Sequence, residues 1–549
     1  MWEDSHLTFT VGTPPVPPSS LPVKLSPHDL QQLDEDAVRC LPEAGLRHLA
    51  LTLLADLKEA RERLAQHPLN SSRPPSSRPP WERGAPAEKA APPETVPAPE
   101  PPATAPESPP DAEGPEAAAP PPAATAMRPA VKRQPGKQVG APGVGRTQVL
   151  TAHTTAEHRP AVCACCGQAL SATAPAVSYT GLQSLDLAWG DPAAPGLRLR
   201  VVDHRYLDVT CPCGHRTRAQ PAQGEVEPAL GTVALREWRL VGPGLATLIV
   251  ALSLRFRLSR TRIQEFLHDW LGVKLSVGTI HQTLHEVGAV VAPAEDQLIA
   301  DVQASGLLHA DETAWPQQDP GWWLWVFITT TTTRYVIAGR GKATTLRLLS
   351  GFAGWLMSDG WFAYRDYPQR LRCWAHLLRK AQGLVACYDR EGQRFGHQVR
   401  TTREVLMADI HAARDGPPGG TAVDLAAHHA DRLTALQRAC RRHLCHRHDK
   451  TRALAVELLN DWEAIFQVLR QPALPLTNNE TERALRHWVI ARRLSHGTRT
   501  AVGSRVFTLL ASVIDTCRQR RHSPWTYLVK AITKRRLGLP LPPLPQPGV

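Results

Sequence analysis

Residues 306–311 read Gly-Leu-Leu-His-Ala-Asp, a short apolar run that ends in an acidic residue. A second run of the same kind, Gly-Trp-Leu-Met-Ser-Asp, occupies residues 354–359. Apolar runs of this length are typical of buried strands. We therefore expect Asp311 and Asp359 to end two strands and to project from the same edge of one sheet.

The segments around these two runs predict a mixed α/β domain. Residues 322–330 and 334–338 are β-rich and separated by a threonine turn, and residues 343–352 suit a helix. Residues 371–376 are expected to form a further strand, residues 377–472 are mainly helical, and residues 477–535 form closing helices. The order is three strands, helix, strand, helix, strand and then helices, which is the order of a ribonuclease-H-like domain.

Length and charge narrow the function. The chain has 549 residues, and at about 100–200 residues per domain this indicates three or four domains. Lys and Arg exceed Asp and Glu by 63 − 51 = 12, which favours a polyanionic partner, nucleic acid first, over a merely basic surface. With no apolar run of about 18 residues and no signal-peptide pattern, we expect no membrane partner and a cytoplasmic, nucleoid-associated protein.

The N-terminal third predicts a helix followed by a linker. Residues 1–67 form the first expected segment, in which a leucine pattern over 26–66 fits a helical hairpin, a coiled coil or a helix packed on its own domain. The pattern comprises Leu30, Leu33, Val38, Leu41, Leu46, Leu49, Leu53 and Leu57. Residues 68–146 are expected to be a disordered Pro/Ala-rich linker that ends in a basic, glycine-rich arm at 132–146.

Paired cysteines mark residues 147–225. Two close pairs, each followed by glycine, predict a zinc-ribbon-like domain with one structural, tetrahedral Zn²⁺, and in a reducing compartment metal is favoured over disulfides. The predicted ligands are Cys163, Cys166, Cys211 and Cys213. Cys165 and His215 are competing ligands. Only one residue, rather than two, separates the second pair, which departs from the usual spacing of a zinc ribbon. Unliganded buried cysteines are the alternative.

Residues 226–300 predict a helical, helix-turn-helix-like region. Ser259 opens an amphipathic helix, Gly272 breaks it, and Ser276 caps a second helix. Helix, short turn and helix is the outline of a DNA-binding motif, but two helices that pack in a core have the same pattern.

Carboxylate side chains are the candidate ligands for catalytic metal ions. Magnesium prefers oxygen ligands, and phosphoryl transfer commonly uses two ions about 3.5–4 Å apart. Two strand-end aspartates and one helical glutamate can hold both ions. In the segment 477–486, Thr477 or Asn478 can cap a helix on which Asn478, Glu482 and Arg486 share one face, so that Glu482 faces metal and Arg486 faces phosphate. An exposed helix face with an ordinary ion pair is the alternative.

Taken together, these motifs resemble the transposases of the insertion sequence 66 family, from about residue 26 to residue 535. Each motif is modest, but their order along the chain makes coincidence improbable. The shared features are the leucine-rich N-terminus, the basic stretch at 133–146, the cysteine ribbon, HADET at 309–313, GWWLW at 321–325, SDGWFAY at 358–364, CWAHLLRK at 373–380 and NNETERALR at 478–486. Residues 492–494, Arg-Arg-Leu, differ from the Arg-Lys-Asn that is frequent in the family.

The resemblance implies a DDE triad on a ribonuclease-H-like domain at 301–500, with a helical insertion at about 383–475 and a C-terminal helical segment and tail at 501–549. The triad, and the ligands of two Mg²⁺ or Mn²⁺ ions, are then Asp311, Asp359 and Glu482. Glu312 and Glu480 lie close to triad residues in the sequence, but the alignment with the family motifs assigns the triad to Asp311 and Glu482 instead. Cys373, His376, Asn478, Arg483 and Arg486 are the implied supporting residues, and zinc binding by Cys373 and His376 is a lesser option.

The implied function is that of a DNA transposase, which cleaves strands at the ends of an insertion sequence and transfers them to target DNA. We expect DNA, further copies of the chain in the DNA complex and small accessory proteins of the element as partners. An inactive or repurposed zinc-ribbon DNA-binding protein is the alternative, and a ribonuclease-H-like nuclease without strand transfer is a third.

Overall fold

The computed structural model describes residues 42–64, 148–230, 233–318, 321–415 and 424–548. The leucines predicted to be helical before residue 42, the proline-rich stretch at 68–130 and the basic arm at 132–146 lie outside these residues. Within them, helix α1 (Glu43–Leu64) confirms the second half of the predicted N-terminal helix.

The cysteine-bearing segment folds around a small sheet. Strands β1 (Thr154–His158), β2 (Ala176–Ala188) and β3 (Arg198–Thr210) lie in the order β1-β3-β2, and β4 (Arg216–Arg218) pairs with β3. Strand β1 is parallel to β3, whereas β2 and β4 are antiparallel to it. One cysteine pair precedes β2 and the other lies in the turn between β3 and β4, so the sheet carries both pairs.

The predicted helix caps of the next region are confirmed. After the short β5 (Gln223–Gly224) and β6 (Leu235–Arg236), the chain forms α2 (Pro243–Leu254), α3 (Arg260–Leu271), α4 (Val277–Val291) and α5 (Ala294–Gln303). Ser259 accepts a hydrogen bond from the N–H of Arg262 at the start of α3, and Ser276 accepts one from Thr279 at the start of α4. Gly272 ends α3 in the left-handed region, at φ 63°.

The exposure of α4 changes along its length. Its first turn is largely exposed, whereas most residues from Thr283 onward are buried and pack against α2 and the closing helices. Only the N-terminal end of α4 is therefore accessible to a DNA groove; the remainder is a core helix.

The second sheet has five strands in the order β11-β10-β7-β8-β9. They are β7 (Leu307–Ala314), β8 (Trp322–Ile328), β9 (Thr333–Gly339), β10 (Trp355–Ser358) and β11 (Arg370–Arg372). Strands β7, β8 and β9 form an antiparallel meander, and β10 and β11 join β7 in parallel. Helix α6 (Lys342–Leu348) links β9 to β10. The predicted mixed α/β class is confirmed.

Two details of the predicted order are wrong. The strand expected at 371–376 ends at Arg372, and Cys373 is already the N-cap of helix α7 (Trp374–Val385). Between β10 and β11 the chain forms a 3₁₀ turn (Phe362–Tyr364) rather than a full helix. A run of only three residues in β11 is too short to show a period-two pattern.

Helices follow the sheet and enclose a second hydrophobic core. They are α8 (Arg390–Asp415), α9 (Leu425–His428), α10 (Ala430–Arg442), α11 (Asp449–Asn460) and α12 (Trp462–Phe466). Helices α7 to α12 contribute buried side chains to this core, among them Phe395, Leu406, Leu436 and Leu454. The helical insertion expected from about residue 383 thus packs together with α7, which begins at Trp374.

The closing helices are α13 (Asn479–Ser495), α14 (Ala501–Gln519) and α15 (Pro524–Arg536). Helix α14 covers the edge strand β9, because the Ser512 hydroxyl accepts the Tyr335 N–H and the Thr516 hydroxyl accepts the Thr333 N–H. In the part of the chain that the structure describes, no helix combines the length and the apolar character needed to cross a membrane.

The expected boundary at residue 300 crosses a shared core. Glu286 of α4 and Arg536 of α15 form a buried ion pair at 2.9 Å, and α4 packs against α14. Removing residues 1–300 would leave Arg536 buried without its partner. Such a truncation is therefore a poor way to isolate the sheet that carries the aspartates.

Candidate active site and cysteine cluster

Asp311 and Asp359 lie beside each other at one edge of the five-stranded sheet. Strands β7 and β10 are parallel neighbours, with Met357 paired to His309. Continuing this register places Asp359, one residue beyond β10, level with Asp311. The sheet therefore brings the two aspartates together as predicted. The expectation that Asp311 ends its strand is wrong, because β7 continues to Ala314 in its pairing with β8, whereas Asp359 does follow the end of β10.

Hydrogen bonds fix both carboxylates. The Glu312 N–H donates to Asp311 Oδ1 at 2.8 Å, and the Trp361 N–H donates to Asp359 Oδ1 at 2.9 Å. Burial, followed by the charges of Asp359 and Glu312, raises the pKa of Asp311 well above its ordinary value. Crowded negative charge of this kind is relieved when a cation binds.

Helix α13 brings the third carboxylate to this edge. The Asn478 amide donates to the carbonyl of Ala310 at 2.9 Å, and Asn478 Oδ1 lies 3.1 Å from Nδ1 of His309. Asn478 occupies the N-cap position, but the predicted side-chain cap is wrong, because its side chain forms hydrogen bonds with β7 instead of with the first turn of the helix. This contact anchors the start of α13 beside Asp311, and Glu482 follows one turn later.

Glu482 is held by cationic and ring nitrogens. Arg379 donates to Glu482 Oε1 at 3.0 Å, and His376 Nε2 lies 3.6 Å from the same oxygen. Burial and then the charge of Arg379 lower the pKa of His376 to about 3, so the ring is neutral at physiological pH. Arg379 was not among the residues predicted from the sequence, although its position one helical turn after His376 indicates that the two side chains share a helix face.

Cys373 has a structural position beneath the site. Its side chain is buried, and its sulfur accepts the N–H of Asn478 at 3.2 Å. Among the described residues, three groups of His, Cys, Asp or Glu side chains have ligand atoms that all lie within 4.8 Å of one another, as a metal site requires. Neither Cys373 nor His376 belongs to any of these groups. The triad is also absent from those groups, so its carboxylates are spaced more widely than the ligands of one small ion.

The predicted arginines lie on the exposed side of α13. Arg483 pairs with Glu480, and both side chains are more than half exposed. Arg486 is exposed as well. Glu482 therefore takes its ion pair from Arg379 on another helix rather than from Arg486 on its own, and the ion pair on the exposed face is between Glu480 and Arg483.

Glu312, the residue after Asp311, takes part in a buried network. Tyr364 donates to Glu312 Oε2 at 2.7 Å, and Arg340 donates to Oε1 at 3.0 Å. The Arg340 guanidinium lies over the rings of Trp323 and Trp361, at 4.1 and 4.4 Å from their centroids. These contacts tie β7 to the turn after Asp359. They were not visible in the sequence, because the partners come from three different elements.

The Glu312 network predicts a dependence of stability on pH. Burial and then the charge of Asp359 raise the pKa of Glu312 to about 7. A raised carboxyl pKa means that the folded state retains a proton that the unfolded state has lost, so stability falls as pH rises from about 4.5 to 7. We expect Glu312→Gln to remove a decline of about 3 kcal/mol across that window. Urea unfolding of both proteins at several pH values measures the difference, and parallel curves would contradict the expectation.

The four predicted cysteines form a compact cluster. The sulfurs of Cys163 and Cys213 lie 3.7 Å apart, and those of Cys166 and Cys211 lie 3.6 Å apart. All four sulfurs lie within 4.8 Å of one another. A tetrahedron with Zn–S bonds of about 2.3 Å has S···S separations of about 3.8 Å, so the cluster has the size of a zinc site.

Left-handed glycines shape the turns of this cluster. Gly167 and Gly214, which follow the two pairs, have φ of 70° and 83°. Their N–H groups donate back to the carbonyls of Cys163 and Cys211. The competing candidates, Cys165 and His215, are exposed and lie outside the set of four.

Part of the chain that includes the five-stranded sheet matches a known protein family. Residues 239–506 match the family described as the transposase IS66 family. The segment that is similar to this family makes up just under half of the chain. It contains both aspartates, the helical insertion and Glu482, whereas the cysteine cluster precedes it.

Three curated relatives, all from Sinorhizobium fredii and all described as uncharacterized, are similar to the chain. Protein y4qI is 25% identical over 312 residues, which cover 50% of this chain and 56% of y4qI. Protein y4jD is 23% identical over 68% of this chain and 74% of y4jD, and y4jO is 25% identical over 28% and 46%. The chain thus spans about half of the length of two of these relatives.

Proposed function

We propose that the chain is a DNA transposase of the DDE type, which binds the ends of an insertion sequence and there cleaves and transfers DNA strands. The convergence of Asp311, Asp359 and Glu482 at one sheet edge supports this proposal most directly. The strand order, a meander of three strands followed by two parallel strands on the side of β7, supports a ribonuclease-H-like fold for the domain. Fold and carboxylates together fit the chemistry of the matched family.

The carboxylates fit two Mg²⁺ or Mn²⁺ ions, because they offer hard oxygen atoms and the raised pKa of Asp311 indicates a deficit of positive charge. Asp311, Asp359 and Glu482 would hold these ions. When bound, they supply the positive charge that stabilises phosphoryl transfer. Arg379 positions Glu482, and the Asn478 contact to β7 fixes the helix that carries it.

The proposed reaction has two phosphoryl transfers. Water attacks a phosphodiester at the end of the element, and the broken bond releases a 3′-hydroxyl. That hydroxyl then attacks a phosphodiester of the target, forming one P–O bond while the target 3′-oxygen leaves. No protein side chain forms a covalent bond with DNA, so catalysis depends on position and charge.

Basic residues support DNA as the partner. Burial and then the charge of Arg499 lower the pKa of Arg260, the first residue of α3. Burial also lowers the pKa of His285 on α4 to about 4, with His281 and Arg260 adding to the effect. The arginines Arg260 and Arg499 are the charged members of this group, since His285 is neutral at physiological pH, and a phosphate group would relieve their mutual repulsion. We expect several copies of the chain to hold paired ends, with accessory proteins of the element.

An in vitro transposition assay tests the proposal. The full chain is incubated with DNA that carries candidate element ends, with a target plasmid and with Mg²⁺. We expect nicks at the ends and covalent joining of those ends to the plasmid. Cleavage without joining would indicate a nuclease, and binding without cleavage would indicate a repurposed DNA-binding protein.

The cysteine cluster is proposed to hold a structural Zn²⁺ through Cys163, Cys166, Cys211 and Cys213. Cobalt can replace zinc as a spectroscopic probe, and thiolate ligands then give an ultraviolet charge-transfer band. We expect Cys163→Ser and Cys211→Ser to lose this band and to unfold at lower temperature. Cys165→Ser is the matched control, because Cys165 lies outside the cluster, and it should retain the band. A wild-type chain that takes up cobalt without the band would refute the thiolate site.

A further inference from the structure

A second cluster of ligand-type side chains lies in the helical insertion, far along the chain from the cysteines. Asp409 lies in the C-terminal part of α8, His428 ends α9, and His429 connects α9 to α10. One ligand atom from each of these residues lies within 4.8 Å of the other two. Two imidazoles and one carboxylate are a common ligand set for borderline divalent cations.

One ring nitrogen of the buried member of this cluster lacks a hydrogen bond. His429 is 5% exposed, and its Nε2 lies 2.8 Å from Asp409 Oδ2. Despite this short distance, Nε2 has no hydrogen-bond partner among the described residues. A buried ring nitrogen is costly when unsatisfied, and this one points to a carboxylate and to a second imidazole, whose ring centroid lies 4.7 Å from its own.

A rival cluster in the same insertion is already satisfied internally. His446 Nε2 lies 2.9 Å from Glu391 Oε2, and the N–H of His448 donates to His446 Nδ1 at 3.1 Å. A metal on Nε2 would require a proton on Nδ1, which this backbone N–H excludes. The cluster of Glu391, His443 and His446 is therefore a hydrogen-bonded pair with a neighbouring ring rather than a ligand set.

We propose that Asp409, His428 and His429 bind a divalent cation of the zinc class, with water as the fourth ligand. A tetrahedral zinc site with bonds of about 2.0–2.1 Å separates its ligand atoms by about 3.3 Å, a spacing that the cluster can reach with small side-chain adjustments. His428 is exposed and leaves the site open to solvent. The eight residues 416–423 between α8 and α9 contain no Cys, His, Asp or Glu that could supply another ligand.

The bound metal would fasten the junction of α9 and α10 to the C-terminal part of α8. Asp424 caps α9 through the N–H groups of Ala426 and Ala427, so the backbone that presents both histidines is held in place without metal. The site is thus largely preformed, and binding adds a cross-link between two helices of the insertion. This inference concerns the insertion alone and does not depend on the proposed transposase activity.

Metal content of the full chain tests the proposal. The protein is equilibrated with excess Zn²⁺, freed of weakly bound metal by gel filtration and measured by mass spectrometry. We expect wild type to hold one equivalent more than Asp409→Asn or His428→Ala, whatever the occupancy of the cysteine cluster. Titration with Zn²⁺ alone should show affinity at this site reduced by more than about a hundredfold in both variants.

Two controls make the result specific. Glu391→Gln alters the rival cluster, and His397→Ala removes an exposed histidine from α8; both should retain the wild-type metal content. With Co²⁺, the additional equivalent should appear without a thiolate charge-transfer band. Equal metal content in wild type and Asp409→Asn, or loss of the equivalent in Glu391→Gln instead, would overturn the proposal.

Discussion

Asp311→Asn is expected to lower strand cleavage by at least about a thousandfold, equivalent to about 4 kcal/mol of transition-state stabilisation. Asparagine keeps the size of the side chain and an oxygen that can accept the Glu312 N–H, but it removes the charge that would hold the catalytic cations. Binding to DNA should persist, because it depends mainly on basic residues. A gel assay of nicking at element ends, beside a filter-binding assay, measures the two effects separately.

The same substitution should not weaken the fold. Because burial and neighbouring carboxylates raise the pKa of Asp311, a neutral amide removes repulsion that the folded state otherwise bears. We expect the melting temperature of Asp311→Asn to equal or exceed that of the wild type in the absence of divalent metal. A strong fall in melting temperature together with the loss of cleavage would instead indicate misfolding.

Neighbouring glutamates provide controls for the register of the triad. Asp359→Asn and Glu482→Gln should match Asp311→Asn in the loss of cleavage. Glu480→Gln should be mild, since Glu480 is exposed and pairs with Arg483. Glu312→Gln should be mild because the amide oxygen can still accept from Arg340, and the Tyr364 hydroxyl can accept from the amide N–H. If Glu480→Gln abolished cleavage while Glu482→Gln spared it, the third ligand would be misassigned. If all three triad variants cleaved DNA at the wild-type rate, the proposed DDE catalysis would be wrong.

Two parallel strands of the central sheet were predictable because they contain apolar runs followed by an aspartate, although β7 continues past Asp311 to Ala314. The runs at 306–311 and 354–359 correspond to β7 and β10, and the capping serines at 259 and 276 marked two helix starts correctly. These signals are local. The strand at 371–376 failed because three residues of β11 give too little pattern to separate a strand from the helix that follows.

The contacts that complete the site could not be read from the sequence. Asn478 is a good N-cap residue by local rules, yet its side chain bonds to β7, which lies far away in sequence and becomes a neighbour only after folding. Glu312 looks like an unused neighbour of Asp311, and only the fold shows it bound to Arg340 and Tyr364. Long-range polar contacts of this kind have no periodicity that a linear pattern could reveal.

A buried ion network joins the insertion to the strand next to Asp359. Asp461, whose side chain is fully buried, accepts hydrogen bonds from Arg370 and Arg372 at 2.9 Å. Arg372 also pairs with Glu457, and its guanidinium fills the space beside Gly360. Burial alone would raise the pKa of Asp461, but the hydrogen bonds and charges of the two arginines outweigh it and lower the pKa.

Asp461→Asn is therefore expected to cost about 3–5 kcal/mol of the free energy of unfolding, because it leaves buried arginine charge without compensation. Urea unfolding at neutral pH measures this loss. Glu463→Gln is the matched control: Glu463 is 76% exposed and pairs with the exposed Arg470, so this substitution should cost no more than about 1 kcal/mol.

The lowered pKa of Asp461 implies that its contribution to stability is complete above about pH 4 and is lost as pH falls further. Since Arg372 lies against the residue that follows Asp359, strand cleavage by Asp461→Asn should fall even at temperatures where the variant remains folded. Equal unfolding free energies for the two variants would show that the insertion is not anchored to the sheet through Asp461.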